Sequence, residues 1–390
     1  MSPLDVLAVL RAPLEGYPPS LNQVTLLAKA GLRVGVLDLA GDTPAAELPP
    51  FIRRWRVHRS WNSKTEPPPP FLRRWLNWLK FSRSCQSVIR DCRPRVVMAY
   101  DILASAFVKP KPARHRTIYH FHELPDPEPR EGLGPRLGRA RAARFSREAD
   151  LVVFSDVGRA QCYMTDARLE RLPEVVMNCP MRMGTVPISS LGNLLAQRGQ
   201  AGWQTVYYLG SVGLDQGVLE AVQSMHLWPA QTLFILVGPC SATIKQRILE
   251  LAGKAGAADR VLFVGPRPHR EALALTAGAD VGLALIQPNT RNWLYSAGAI
   301  NKRFEYMALG LPQVTNAGPG VKEIVEANAC GLCIDPKSIE SIGQAVRQLL
   351  ENDGQRRSFS VNARDRHLRT YNYESQFAEA AHWITSHCSA

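Results

Sequence analysis

Short apolar runs rich in leucine and β-branched residues, each followed by a stretch of helical character, recur along the chain and restrict its fold. In the first half they cover residues 4–10, 33–39, 96–99, 117–121 and 151–155. In the second half they cover residues 205–209, 232–237, 261–264, 281–286, 313–315 and 331–334. Strands buried on both faces lose polar alternation, and alternation with helices is typical of parallel sheets. We therefore predict an α/β fold with two Rossmann-like, doubly wound domains that face a cleft.

The two series of runs also divide the chain. A length of 390 residues suits two domains of about 150–200 residues each. We predict one Rossmann-like domain over 1–185, a polar linker over 186–203 and a second Rossmann-like domain over 204–368. Residues 369–390 have an amphipathic helical pattern, and this helix can cross back to the first domain.

The charge of the chain, +13 overall, is concentrated in its first half. Residues 1–180 hold 28 Lys and Arg against 18 Asp and Glu, whereas residues 181–390 hold 19 against 16. A basic half indicates an acidic partner, which can be a nucleic acid, an anionic membrane surface or a phosphorylated substrate. No nucleic-acid motif accompanies the charge, so no specific nucleic-acid partner is predicted.

Residues 53–83 favour the membrane alternative. Tryptophans lie beside arginines and lysines on both sides of a proline run, a composition typical of segments that contact anionic lipid headgroups. The alternative is a loop and helix whose tryptophans fill the core while the arginines stay solvated. The first apolar run is short and follows the acidic Asp5, and no run is long enough to span a bilayer. We therefore expect a cytoplasmic protein, with any membrane contact peripheral to the inner face of the cell membrane.

Eight cysteines are scattered through the chain, which is typical of a reducing compartment. Cys330 and Cys333 form a CxxC pair, but no second pair has zinc-site spacing. Two small buried residues beside a turn are favoured over a metal or redox site, and no metal site is predicted.

The segment 301–312 carries the clearest chemistry. Lys302 and Glu305 are three residues apart and share a helical face, and Gly310 and Pro312 end the helix. A carboxylate here can accept hydrogen bonds from two ribose hydroxyls, and the lysine can neutralise phosphate. Spacing alone leaves open an exposed Lys–Glu helical pair without function.

Together with residues 318–325 and 331–336, the run 302–312 resembles glycosyltransferase family 4. The resemblance covers roughly residues 205–350. It implies two Rossmann-like domains (the GT-B fold), a nucleotide sugar as co-substrate, no cofactor, no metal and retention of anomeric configuration. It assigns Glu305 to the donor ribose, and it places the first glutamate of the family motif where this chain has Ala297. Tyr295 and Ser296 are polar residues close to Ala297 in the sequence, and Tyr295 is kept as a donor-binding candidate.

The same resemblance identifies two glycine loops as donor-binding. After the run 205–209, Gly210, Ser211 and Gln216 occupy the phosphate loop, where the family often has an arginine and a lysine at the last two positions. Backbone N–H groups can still bind phosphate there, with Lys302 offsetting the missing charge. Gly16 occupies the position of the first glycine loop of the family, without the usual second glycine.

His122, at the end of the run 117–121, is the predicted catalytic residue. The resemblance implies a histidine at a strand end that contacts the sugar or the acceptor, and we prefer His122, next to Glu123, over His120. The alternative is a histidine satisfied near the surface by Glu123.

These features predict a metal-independent hexosyltransferase that moves a sugar to a glycan or lipid-linked acceptor during envelope or extracellular polysaccharide synthesis. The first domain would bind the acceptor and the second the donor nucleotide. The substitutions at Ala297, Ser211 and Gln216 leave an alternative, a non-catalytic GT-B protein that binds donor or membrane as a partner subunit. An epimerase lacks support because no acidic and histidine cluster suited to carbon deprotonation is evident.

Overall fold

The computed structural model describes residues 3–41, 48–58, 71–111, 114–127 and 132–388, without the side chains of 71–74. The chain divides into two compact units. Unit 1 comprises Met1–Met177 and Gln376–Ala390, and unit 2 comprises Asn178–Ser375. No described helix combines the length and apolar character needed to span a membrane.

Unit 1 is built on a sheet whose described strands all pair in parallel. The strands are β1 (Val6–Leu10), β2 (Val34–Leu39), β3 (Arg53–Val57), β4 (Val96–Tyr100), β5 (Arg116–Phe121), β6 (Leu151–Phe154) and β7 (Glu174–Val175). Their order is β3-β2-β1-β4-β5-β6-β7. The direction of winding therefore reverses between β1 and β4, which is where ligands bind in doubly wound sheets.

Helices cover the sheet of unit 1 and close its core. They are α1 (Pro18–Lys29), α2 (Phe71–Cys92), α3 (Asp101–Ser105), α4 (Leu133–Glu148) and α5 (Val157–Ala167). A short 3-10 turn, Leu14–Gly16, precedes α1. Phe81 of α2 is fully buried with strand residues such as Val9 and Ala99, so the amphipathic α2 contributes one face to this core.

Unit 2 is described throughout and holds a second wholly parallel sheet. Its strands are β8 (Gln204–Leu209), β9 (Thr232–Val237), β10 (Val261–Gly265), β11 (Val281–Ala284), β12 (Gln313–Asn316) and β13 (Gly331–Ile334), in the order β10-β9-β8-β11-β12-β13. Along β8, Val206 and Tyr208 enter one buried cluster while Tyr207 and Leu209 enter another. Both faces of the sheet are thus covered, which explains the continuous apolar runs.

The helices of unit 2 complete these two layers. They are α6 (Leu191–Gln197), α7 (Val218–Gln223), α8 (Ala242–Lys254), α9 (His269–Thr276), α10 (Arg291–Leu294), α11 (Asn301–Leu309), α12 (Val321–Val325), α13 (Ile339–Glu351), α14 (Asp353–Arg369) and α15 (Tyr373–Gln376), whose last residue belongs to unit 1. Residues 178–203, which include the range predicted as a linker, belong to unit 2. There α6 buries Leu191 and Leu195 against its sheet.

The last helix, α16 (Ala378–Cys388), belongs to unit 1 although it follows unit 2 in sequence. It contacts β4, and its Ile384 is fully buried. The Cys388 thiol lies 3.6 Å from the carbonyl oxygen of Asp5, and the Arg95 guanidinium donates to the Cys388 carbonyl. The end of the chain is thereby anchored beside the first strand of unit 1.

The arginine-rich segment 53–83 contains one element that the sequence pattern did not predict. Residues 53–57 form β3, and Arg54 and Arg56 make ion pairs with Glu15 and Asp38 instead of facing outward as free cations. The helix predicted after the proline run is present as α2, with Trp75 and Trp78 exposed on it. Residues 59–70, which include Trp61 and the prolines, lie outside the described residues.

Candidate active site

The loop predicted to bind phosphate begins where β8 ends, at the point where the winding of the unit 2 sheet reverses. Gly210 has a φ of +131°, a backbone conformation that side chains disfavour, and its amide donates to the Val237 carbonyl. The neighbouring Gly238 has a φ of +141°, and a Cβ there would overlap the carbonyl of Gly210. The two glycines therefore let two chain segments approach closely at the edge of the sheet.

Lys302 extends from the first turn of α11 to this loop. Its Nζ donates to Gln216 Oε1 at 3.1 Å and lies 3.8 Å from the centroid of the Tyr208 ring. A Cβ on Gly210 would be 3.3 Å from the same nitrogen. The structure thus brings Lys302, Gly210 and Gln216 together, and the lysine is not part of an exposed pair with Glu305.

Burial controls the charge of Lys302, whose side chain is only 8% exposed. Desolvation lowers the pKa of the lysine to about 7, and the nearby Glu305 charge offsets only part of that effect. An anion beside Nζ would stabilise the charged form. The site therefore offers a cation whose protonation depends on whether a negative ligand is present.

Ser211 and Gln216 are held by Tyr208. The phenol donates to the Ser211 carbonyl at 2.7 Å and lies 3.2 Å from Gln216 Oε1. Gly217, with a φ of +63°, directly precedes α7, and a Cβ on it would lie 2.5 Å from Leu285 Cβ. The loop from Gly210 to Gly217 is shaped by backbone conformations that only glycine adopts easily.

Glu305 lies one helical turn after Lys302 and is bonded to a residue that the sequence pattern did not single out. Its Oε1 accepts a hydrogen bond from His269 Nε2 at 2.8 Å, and the carboxylate side chain is 13% exposed. Bonding to Glu305 raises the pKa of His269. His269 starts α9 just after β10, so its place at a strand end was a signal available in the sequence.

Arg303, between the two candidates, points into the protein and fixes the loop before α11. It is fully buried, and its Nη1 donates to the carbonyls of Ser296 at 3.0 Å and Ala297 at 2.7 Å. Ala297 is itself buried, with its Cβ 3.1 Å from the position of a Cβ on Gly320. Tyr295 is half-buried on the same loop, where its amide donates to the Arg291 carbonyl.

His122 of unit 1 lies at the carboxyl end of β5 and is bonded on both ring nitrogens. Its Nδ1 lies 2.8 Å from Asp101 Oδ2, and its Nε2 lies 2.9 Å from Ser20 Oγ. Asp101 follows β4 directly, and Ser20 is in the first turn of α1. The partner of His122 is therefore Asp101, not Glu123. The alternative candidate His120 is fully buried, and burial beside His122 lowers its pKa to about 3.

The loop that carries Gly16 passes close to His122. Gly16 is exposed, and a Cβ on it would meet nothing within 4 Å. The next residue, Tyr17, places its ring 4.7 Å from that of His122. Glu15, on the other side, pairs with Arg54 at 2.8 Å, so this turn is anchored to β3.

Comparison with known proteins finds similarity both in unit 2 and over the whole chain. Residues 200–366 match the family model Glycosyl transferases group 1. The matched range includes Gly210, Lys302, Glu305 and His269.

One curated relative is the D-inositol 3-phosphate glycosyltransferase of Corynebacterium urealyticum. It is 27% identical over 163 residues, which are 40% of this chain. The match spans 36% of the length of that relative.

Two solved structures resemble the chain over nearly its whole length. The sucrose-phosphate synthase of Thermosynechococcus elongatus has a TM-score of 0.74 at 16% identity, covering 98% of both chains. HepE of Anabaena in complex with UDP and glucose has a TM-score of 0.73 at 18% identity, covering 98% of this chain and 100% of its own. The predicted fold, α/β with two Rossmann-like domains of the GT-B type, is confirmed.

Among the residues that the structure describes, no group of three or more His, Cys, Asp or Glu side chains is arranged to hold a metal ion. The eight cysteines, including Cys330 and Cys333, are free thiols. The metal independence expected from the resemblance stays a prediction.

Proposed function

We propose that this protein transfers a sugar from a nucleotide-sugar donor to a hydroxyl of a glycan or lipid-linked acceptor. The observation that carries the proposal is the placement of Lys302 and Glu305 on one helix, with the lysine at the Gly210 loop. Lysine and backbone amides suit a diphosphate, and a carboxylate one turn along suits ribose hydroxyls. HepE of Anabaena, similar in fold, was solved with UDP and glucose.

Departure of the nucleotide diphosphate requires that its growing negative charge be stabilised. In this proposal Lys302 and the amides of residues 210–217 supply that stabilisation without a metal ion. Both are fixed before the donor arrives, the lysine by Gln216 and the loop by Tyr208. Preorganised donors of this kind cost little reorganisation when charge develops.

His122 is the residue proposed to contact the reacting sugar or the acceptor. Its ring is held by Asp101 and Ser20, so its direction is set before substrate binds. We propose retention of anomeric configuration, with the acceptor attacking from the face that the nucleotide leaves, since the sequence motifs assign no carboxylate as a nucleophile.

We place the acceptor at an anionic membrane surface during envelope or extracellular polysaccharide synthesis. Support comes from α2, where Trp75, Leu76 and Trp78 are exposed close to the exposed cations Lys80 and Arg83. Aromatic rings beside cations favour the headgroup region of anionic bilayers. Peripheral attachment to the inner face of the cell membrane is part of this proposal.

The decisive experiment combines binding and turnover. Nucleotide sugars, beginning with UDP-glucose, are screened by ligand-detected NMR against wild type, Glu305→Ala and the control Glu271→Ala, whose carboxylate is exposed on α9. Loss of the ribose contacts of Glu305 is expected to weaken nucleotide binding about 10–100-fold while the fold is kept. The control should bind like wild type, and unchanged affinity in Glu305→Ala would remove the ribose assignment.

Turnover in the same samples separates the proposal from its alternative. Ala297 favours a non-catalytic GT-B protein, because it replaces the family glutamate with a buried methyl group beside Gly320. Donor binding by wild type without transfer or hydrolysis of any donor would support that alternative. Where product forms, its NMR spectrum gives the anomer, and an inverted product contradicts retention.

A further inference from the structure

Asp101 and His122 form a pair that the sequence motifs do not assign. Tyr100 and His120 are register partners on β4 and β5, so the residues that follow each strand meet at the same edge of the sheet. Asp101 has a φ of +59°, the left-handed region that non-glycine residues avoid. Backbone strain of this kind persists only where surrounding interactions hold it.

The strained turn lets one carboxylate accept two hydrogen bonds from one residue. Asp101 Oδ1 accepts from the backbone N–H of His122 at 2.8 Å, and Oδ2 accepts from the Nδ1–H of its ring at 2.8 Å. Burial acts to raise the pKa of Asp101, but its interactions with His122, including the two hydrogen bonds, outweigh burial and lower that pKa. A carboxylate cannot donate, so Nδ1 carries a proton, and in the neutral ring Nε2 then presents a lone pair.

Further contacts fix where that lone pair points. Ser20 Oγ lies 2.9 Å from Nε2, so in the neutral Nδ1–H tautomer its hydroxyl donates to that nitrogen. The rings of Tyr17 and His120 lie 4.7 Å and 5.0 Å from the imidazole. Arg159 Nη1 donates to the carbonyl of His122 at 2.6 Å.

We propose that Asp101 is the positioning residue that keeps His122 in the Nδ1–H tautomer, so that Nε2 accepts a hydrogen bond from a sugar hydroxyl that takes the place of the Ser20 hydroxyl. With a carboxylate behind the ring, this position suits a neutral hydroxyl and disfavours a phosphate. The inference rests on the proposed transferase function, but the tautomer itself is a property of the free protein.

Asp101→Asn tests this assignment directly, because its effect on the tautomer of His122 follows from the two hydrogen bonds that Asp101 accepts. The backbone N–H of His122 can only donate, so the Asn oxygen must take the place of Oδ1. The amide nitrogen then faces Nδ1 and donates to it, which forces the proton onto Nε2. The substitution keeps the shape of the side chain and reverses the tautomer.

The matched control is Asp150→Asn, at the opposite end of β5. Asp150 likewise accepts from a backbone N–H, that of Thr117 at 2.8 Å, and from a second donor, Arg116 Nη1 at 2.9 Å. It therefore tests the loss of a carboxylate that precedes β6 and is bonded to β5, without touching His122.

Full-length proteins labelled with ¹⁵N on histidine are compared by NMR at about pH 8, above the ordinary pKa of histidine. In wild type and Asp150→Asn, His122 should show an unprotonated Nε2, and in Asp101→Asn an unprotonated Nδ1. Turnover of UDP-glucose by Asp101→Asn should fall about 100-fold or more, while its affinity for UDP stays that of wild type.

An unchanged tautomer in Asp101→Asn overturns the assignment, whatever the activity. If that variant does not fold, the same NMR comparison is made with Asp101→Ala, which has no amide to donate. A reversed tautomer with undiminished turnover overturns the positioning role. Failure of wild type to turn over any nucleotide sugar counts against the proposed function, while the NMR comparison still decides the tautomer.

Discussion

At the scale of single residues, Lys302 lies in surroundings that disfavour its own charge. Its Nζ has one amide oxygen and one aromatic face as neighbours, and its pKa is lowered to about 7. Between about pH 7 and pH 10, Lys302 is therefore less protonated in the folded protein than in the unfolded chain. The free-energy cost of burying the charged lysine in the folded protein is greatest below about pH 7, and it decreases as the pH rises from about 7 to about 10.

Donor binding is accordingly expected to take up a proton at Lys302. At about pH 8 nearly one proton should enter with UDP-glucose, and affinity should fall by up to about tenfold per pH unit above pH 7. Calorimetry in buffers of different ionisation enthalpy measures the uptake.

Two variants test whether Lys302 is the group that takes up the proton. Lys302→Met should bind the donor weakly and take up no proton, because the titrating group is gone. Lys245→Met removes an exposed lysine that also lies over a ring, that of Phe263 at 5.2 Å, and should behave like wild type. Proton uptake that persists in Lys302→Met would assign it to another group.

Residue roles were only partly accessible from the sequence. The spacing of Lys302 and Glu305 predicted their common helix, which is α11, but not that the lysine reaches Gln216, 86 positions away in the chain. The contact between His269 and Glu305 joins residues 36 positions apart and follows from the order of the strands. Long-range pairs of this kind depend on topology, which local patterns do not contain.

At the scale of elements, buried strands were predicted well because both of their faces are apolar. The runs 232–237 and 331–334 coincide with β9 and β13. The strand β3 was missed because three of its five residues are arginines, whose charges are compensated by Glu15 and Asp38 from other elements. The strand β7 has only two residues, too few for any periodicity.

The helix α2 gives the prediction that belongs to this scale. If its exposed residues contact lipid, the protein should bind vesicles of phosphatidylcholine with phosphatidylglycerol but not phosphatidylcholine alone, and added salt should release it. Trp75→Ala combined with Leu76→Ala should weaken binding about tenfold, because both side chains lose burial in the interface.

Co-sedimentation with vesicles measures this binding. Val361→Ala, which removes an exposed apolar side chain from α14 in unit 2, is the matched control. Equal binding to both kinds of vesicle, or an equal loss in the control, would contradict a role for α2 in contacting the membrane.

At the scale of the whole molecule, unit 1 is discontinuous in sequence, since α16 follows unit 2. Ile384→Ala should lower the free energy of unfolding of unit 1 by about 2–5 kcal/mol, because it leaves a cavity beside β4. Hydrogen exchange measured by mass spectrometry should show reduced protection in peptides of β4. His382→Ala, exposed on the same helix, should change stability by less than about 0.5 kcal/mol. Equal effects of the two variants would mean that α16 does not stabilise unit 1.

The late position of α16 also sets an order of events during translation. A ribosome releases residues 376–388 only after synthesising about 200 residues of unit 2, which takes roughly 10–40 s at about 5–20 residues per second. Throughout that interval the nascent first unit lacks the helix that covers β4, whereas unit 2 is contiguous and can close as it emerges. The half of the protein that is made first is therefore completed last. Until α16 is made, cotranslational chaperones can bind the surface of unit 1 that this helix later covers.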